Sequence, residues 1–321
     1  MSRLTLTEYV EGVLRGDRSA LARAITLIES DLPVDNELAS QILDRLPRSD
    51  HTYRIAITGA PGVGKSTFID ALGMHLVNDP GHRVAVLSVD PSSIASGGSI
   101  LGDKTRMERL SLHDRAFIRP TPARGHLGGV ARSTRETIVL CEAAGYDIVL
   151  VETVGVGQSE TAVHSMVDFF LLLMIPGAGD ELQGIKRGII EMLDGMVINK
   201  ADNDTARAER ARAEYSNALH LFPPRPDGWV PRVLTCSALT GQNVPAVWPM
   251  LLEYRKHVDL SAKRRQQAGD WMHELVSLGL QDSFRRNPAV SRRLPEITDA
   301  VRRGELTPSA AARELLRLFR S

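Results

Sequence analysis

An unbroken run, Gly59-Ala60-Pro61-Gly62-Val63-Gly64-Lys65-Ser66-Thr67, fits the pattern G-x-x-x-x-G-K-[ST]. Residues of these types at this spacing can hold the tail of a nucleoside triphosphate. Glycines let backbone N–H groups converge on phosphate oxygens at the positive end of a helix, a lysine reaches the outer phosphates, and a hydroxyl meets Mg²⁺. Lys65 and Ser66 occupy those last two positions. Tyr53 to Thr58 reads as a short β-rich run and Phe68 to Val77 as a helix with apolar residues at helical spacing. That context separates the match from an ordinary Gly-rich turn.

A second group of polar residues addresses the base. Asn199-Lys200-Ala201-Asp202 follows the apolar run Gly195 to Ile198, placing an N-K-x-D tetrapeptide at the C-terminal end of a strand, where open α/β sheets bind ligands. A carboxylate there accepts from both the ring N–H and the exocyclic amine of guanine, whereas adenine would oppose it with a ring acceptor. GTP, with GDP as its product, is the expected nucleotide. Ser237-Ala238-Leu239, after the strand-like Arg232 to Cys236, could offer a backbone N–H to the guanine carbonyl oxygen. Helix capping is the competing use of Asn199 and Asp202.

Between these motifs lie candidate metal and catalytic residues. Asp90 closes the second strand, Asp103 lies in Gly102-Asp103-Lys104-Thr105-Arg106, and Glu152 ends a buried strand in Glu152-Thr153-Val154-Gly155. Mg²⁺ takes an oxygen octahedron and borrows only one or two protein ligands beyond phosphate and water. Ser66 is one, and Asp90, Asp103 and Glu152 compete for the others; a solvated loop charge is the alternative for each carboxylate. Lys65, Asp90 and Glu152 form the catalytic set, and Gln158 is placed to orient a water. Asp180 and Lys186 belong to the Gly-flanked segment Gly177 to Arg187, which could rearrange by exchanging ion pairs. Asp180 and Glu181 could equally start a helix and favour its dipole.

The elements that must position these groups are α/β in pattern. Residues 1–50 look helical, with Leu38, Ile42, Leu43 and Leu46 on one stripe. Residues 51–258 alternate strand and helix, with strands expected at Val84–Val89, Ala116–Arg119, Asp147–Glu152, Phe169–Ile175, Gly195–Asn199 and Val233–Cys236. Two are continuously apolar, as strands covered on both faces are. A doubly wound, mostly parallel sheet is expected, with helical extensions at both ends, the second spanning 259–321. Pro223 to Pro231 reads as a connector, and Thr307-Pro308 as a helix start.

Composition narrows the function. Lys+Arg and Asp+Glu both total 39, so formal net charge is zero, without the basic excess of a nucleic-acid or anionic-membrane protein. The two cysteines, Cys141 and Cys236, lie far apart in apolar segments, and the nine histidines form no cluster. Neither a disulfide framework nor a Cys/His metal site is expected. Phe169 to Pro176, the longest apolar run, falls far short of the ~20 residues that cross a bilayer, and Met1 to Arg15 lacks a secretory apolar core. The cytoplasm is the expected location.

Four longer strings support a family. Asp90-Pro91-Ser92-Ser93, Gly97 to Met107 (GGSILGDKTRM), Glu152 to Glu160 (ETVGVGQSE) and Pro176 to Lys186 (PGAGDELQGIK) resemble the MeaB/MMAA/ArgK family of P-loop GTPases. The resemblance spans nearly the whole chain. It implies a homodimeric, weakly active GTPase acting as metallochaperone for adenosylcobalamin-dependent methylmalonyl-CoA mutase, with the cobalamin on the partner. It also implies switches at about Asp90 to Arg106, Glu152 to Glu160 and Gly177 to Arg187, with Arg106, Asp180 and Lys186 as coupling residues, and dimer contacts from the C-terminal helices. A related acyl-CoA mutase is the alternative partner. The rival activities are a kinase moving the γ-phosphate to a protein or small molecule, as the older ArgK label suggests, and a nickel-type metallochaperone GTPase, which the scattered histidines disfavour.

Overall fold

The computed structural model describes residues 3–78, 81–90, 107–122, 127–153, 159–177 and 187–320. The chain divides into two compact units, Met1–Arg264 and Arg265–Ser321.

The first unit opens with three helices, α1 (Leu6–Leu14), α2 (Arg18–Ile28) and α3 (Pro33–Arg45). Thr5 and Glu8 form a reciprocal capping box at the start of α1, and Asp17 caps α2. Alternation of strand and helix then follows: β1 (Tyr53–Thr58), α4 (Lys65–Asn78), β2 (Val84–Asp90), α5 (Glu108–Ser111), β3 (Ala116–Pro122), α6 (Leu127–Ala143) and β4 (Ile148–Thr153). The series continues with α7 (Ser159–His164), β5 (Phe169–Met174), α8 (Arg187–Met192), β6 (Gly195–Ile198), α9 (Thr205–Leu219), β7 (Arg232–Thr235) and α10 (Val247–His257).

The seven strands form one sheet in the order β3-β2-β4-β1-β5-β6-β7, and every paired neighbour is parallel. β1 therefore lies between β4 and β5, and the glycine loop leaves the sheet at its centre. Successive residues of a strand face opposite ways, so each strand feeds two cores. Tyr53, Ile55 and Ile57 of β1 and Phe169, Leu171 and Leu173 of β5 pack with Phe68 and Leu72 of α4 and Leu251 and Tyr254 of α10. Ala56, Phe170 and Leu172 instead share a core with Tyr9, Val13, Leu21 and Ile25 of the first two helices and Ile138 and Cys141 of α6. Both cysteines are buried and unpaired.

Two buried carboxylates hold the opposite edge of the sheet, just before β5 and β6. Asp168, 0% exposed, accepts from the Arg54 amide at 2.9 Å and from Arg264 through two nitrogens at 2.6 and 2.8 Å. Arg54 pairs in turn with Glu142 at 2.6 and 3.0 Å. Asp194 meets Arg225 at 2.9 Å and Lys263 at 3.5 Å, and its carbonyl accepts from Trp229 Nε1 at 2.8 Å. Pro223 to Pro231 is thus more than a connector: Arg225 and Trp229 anchor it to the sheet edge, partners that only the folded chain brings together.

α11 (Leu260–Arg286) begins in the first unit and ends in the second, followed by α12 (Pro288–Arg302) and α13 (Pro308–Arg320). Asn287 caps α12 at 2.9 and 3.2 Å, and Thr307 caps α13 at 3.3 Å. Phe284 and Phe319 meet edge to face at 5.5 Å. No described helix is long and apolar enough to cross a membrane.

Candidate nucleotide site

The loop from Gly59 to Gly64 bends through positive φ at three glycines, +150° at Gly59, +79° at Gly62 and +95° at Gly64. Two of them also tolerate no side chain. A Cβ on Gly59 would lie 2.4 Å from the Leu173 carbonyl oxygen, and one on Gly64 would lie 2.7 Å from Asn199 Nδ2. The loop therefore presses directly on the ends of β5 and β6. Pro61 is exposed at its tip, Ala60 is half-buried, Val63 packs into the core, and α4 starts at Lys65 with Thr67 exposed on its first turn.

Lys65 Nζ donates to the carbonyls of Gly59 at 2.8 Å and Ala60 at 3.1 Å. The side chain is only 8% exposed, and burial pushes its pKa down while the carboxylates of Glu152 and Glu160 push it back up. Phosphate oxygens, as charged acceptors, can compete for that ammonium.

Ser66 Oγ donates to Glu152 Oε1 at 2.8 Å, and Ser88 Oγ donates to Glu152 Oε2 at 3.2 Å. Glu152 is itself 8% exposed. Its neighbour Thr153 donates to Thr58 at 2.8 Å on the other face of the sheet. Serine and carboxylate oxygens are hard ligands that suit Mg²⁺. Among the described residues no group of three or more His, Cys, Asp or Glu could hold a metal by itself. Asp90 ends β2, but its side chain lies outside the described residues, as do Asp103, Arg106, Gln158, Asp180 and Lys186.

Asn199 bridges the two halves of the site. Its Nδ2 donates to the Val63 carbonyl at 2.9 Å, and its Oδ1 accepts from the Ala238 amide at 2.9 Å. Lys200, at φ +61°, donates to the Gly62 carbonyl at 2.8 Å. Asp202 is exposed and has no hydrogen-bond partner among the described residues, so its carboxylate is available to a base. Its charge, after burial, is the second force pushing the Cys236 thiol up to about 12. Ser237-Ala238-Leu239 supplies an N–H more narrowly than the tripeptide suggests. The Ser237 amide is used by Gln242 and the Ala238 amide by Asn199, which leaves that of Leu239, whose side chain is 81% exposed.

Glu160, the last residue of the ETVGVGQSE string, is buried at the start of α7. Two features escape the motifs. Ser88 is one, buried on β2. The other is Asp70, which accepts from the Leu110 amide and from Arg109 Nε, both at 2.9 Å. Gly73 makes room for that docking, since a Cβ there would lie 2.4 Å from Leu110 Cδ2. Asp70 and Gly73 follow Ser66 at helical spacing, a periodic signal that needs the partner helix α5 before it means anything.

The family described as methylmalonyl-CoA mutase-associated GTPase MeaB matches residues 21–289. A protein of Caulobacter vibrioides that carries a GTPase name is 54% identical over 312 residues, covering 96% of this chain and 95% of its own. The mitochondrial methylmalonic aciduria type A homolog of Mus musculus is 47% identical, covering 97% of this chain and 78% of its own. A crystal structure described as LAO/AO transport system kinase superposes with a TM-score of 0.76 at 37% identity, covering 100% of this chain and 99% of its own. The chain therefore belongs to the MeaB family of P-loop GTPases.

Proposed function

We propose that this GTPase gates the loading of adenosylcobalamin into methylmalonyl-CoA mutase, or a related B12-dependent acyl-CoA mutase, and protects the loaded enzyme. The family match over residues 21–289 carries this reading, and the naming of the mouse relative for methylmalonic aciduria supports it.

In this reading the loop amides of residues 59–67 and Lys65 take the β and γ phosphates. Asp202 and the Leu239 amide select guanine, and Asn199 and Lys200 keep that end aligned with the loop. Ser66 and Glu152 hold Mg²⁺, with Asp90 and Asp103 completing the oxygen set; bound there, the ion neutralises charge on the phosphates. No described residue near Lys65 stands out as a strong base, so hydrolysis is positioning of an in-line water plus charge neutralisation. Gln158 orients that water, and Arg106, Asp180 and Lys186 report the nucleotide state to the mutase. Adenosylcobalamin belongs to the partner, and the protein works in the cytoplasm. A homodimer forms through the helices after residue 258, supported by the exposed Met272, Val276 and Leu280 at helical spacing on α11.

Phosphate release from γ-labelled GTP, with and without the mutase, tests the reading. Slow release alone and faster release with the partner is expected. Equal kcat in the two cases overturns the partner role, and label on an acceptor in place of free phosphate makes the protein a kinase.

A further inference from the structure

Ser88 interrupts the apolar run of β2. Val84 and Val86, which share its side of the strand, lie in the core under α4, and at 5% exposure a hydroxyl there needs a reason. The sheet register supplies one. Ser88 is paired directly with Glu152 across β2 and β4, so the two side chains rise side by side from the same face. Among the described residues Glu152 is the side-chain hydrogen-bond partner of Ser88, at 3.2 Å, and Ser66 approaches the other carboxylate oxygen at 2.8 Å.

The order of donors matters. A serine hydroxyl has one proton; with that proton given to Glu152, Ser66 Oγ has only lone pairs left to offer a cation. Glu152 can impose this only while its own rotamer is fixed, and a hydroxyl on each oxygen fixes it. We propose that Ser88 is a positioning residue of the nucleotide site: it holds Glu152, and through Glu152 it sets the orientation of Ser66 and the affinity of the protein for the magnesium form of the nucleotide. This rests on the assignment of Ser66 and Glu152 to the metal made above. Partners that orient metal ligands from behind typically change metal affinity by about 10- to 100-fold when removed.

The test is binding of a fluorescent GTP analogue to the full chain, with Mg²⁺ titrated and again in EDTA. Ser88→Ala is expected to raise the Mg²⁺ concentration at half effect by roughly tenfold, with affinity in EDTA unchanged. Ser88→Thr keeps the hydroxyl and should behave as wild type, and Ser88→Cys, similar in size but a weak donor, should fall between. A wild-type Mg²⁺ response in Ser88→Ala overturns the proposal. So does an equal loss of affinity with and without Mg²⁺, which is a packing effect. Glu152→Gln separates the two levels. If it shifts the Mg²⁺ response and Ser88→Ala does not, only the role of Ser88 falls; if neither shifts it, the metal assignment falls too.

Discussion

Asn199 donates its side-chain amide to the Val63 carbonyl at 2.9 Å, tying the end of β6 to the glycine loop. Its oxygen takes the Ala238 amide at the same distance, so one buried side chain aligns the phosphate cradle with the base-reading end. Asn199→Ala leaves a buried carbonyl and a buried amide without partners, at about 1–3 kcal/mol each. Weaker GTP binding by calorimetry and a lower Tm are expected together. Asn199→Asp keeps the acceptor for Ala238 and should lose less Tm than the alanine. An unchanged Tm in Asn199→Ala would mean that neither bond contributes.

The three loop glycines should not be equivalent. Gly62 has positive φ but open space around its missing Cβ, so Gly62→Ala meets only the backbone penalty of about 1–2 kcal/mol. Gly59→Ala adds a clash at 2.4 Å with the fixed Leu173 carbonyl, and Gly64→Ala one at 2.7 Å with Asn199, which could move only by giving up its bond. Denaturant unfolding should rank Gly59→Ala and Gly64→Ala well above Gly62→Ala in cost. Equal losses at all three positions would contradict the geometry.

At the far edge of the sheet, Asp168 is the acceptor that compensates Arg264. Removing one partner of a buried ion pair costs about 3–5 kcal/mol, because the other charge stays behind. Asp168→Ala is expected to lose stability on that scale in urea. The folded fraction should keep a wild-type KM for GTP, since no contact of Asp168 reaches the loop. A raised KM at unchanged stability would reverse that assignment.

His164 gives a pH dependence with a definite sign. Burial, then Lys263, pushes its pKa from the ordinary histidine value of about 6.5 down to about 4, Asp194 pulls it up, and Arg225 pushes it down. The unfolded chain therefore binds the proton more readily than the folded one. The stabilisation is complete above about pH 6.5 and is lost as pH falls from there to about 4. At about 1.4 kcal/mol per unit the loss amounts to roughly 3 kcal/mol. His164→Gln should flatten the curve of unfolding free energy against pH in that window. Parallel curves for the two proteins would show that His164 binds its proton equally well folded and unfolded, so that the shift is absent.

Much of this architecture is written locally. Ile148 to Val151 and Phe169 to Leu173 announce buried parallel strands because both faces are covered, and both fall within β4 and β5. β3 runs further than its sequence suggests, to Pro122. Pro120 cannot donate to a ladder, yet β3 is the edge strand, where one side needs no donor. The glycine loop and the N-K-x-D box are legible because their chemistry demands fixed spacings. Ser88 is not, since its meaning comes from register with Glu152, and register follows from pairing of distant strands. Asp168 and Asp194 are silent for a related reason: Arg264 and Arg225 reach them only once the sheet and the helices after it have assembled.

The first three helices give the sheet one of its roofs. Tyr9, Val13, Leu21 and Ile25 share a core with Ala56, Phe170 and Leu172, and Arg119 of β3 is ion-paired to Glu29 at the end of α2. Cutting the chain near residue 50 to obtain a minimal nucleotide-binding fragment would strip that roof and leave aliphatic strand faces to water. Such a fragment would clump rather than bind, and anyone trimming this protein should start at the other terminus.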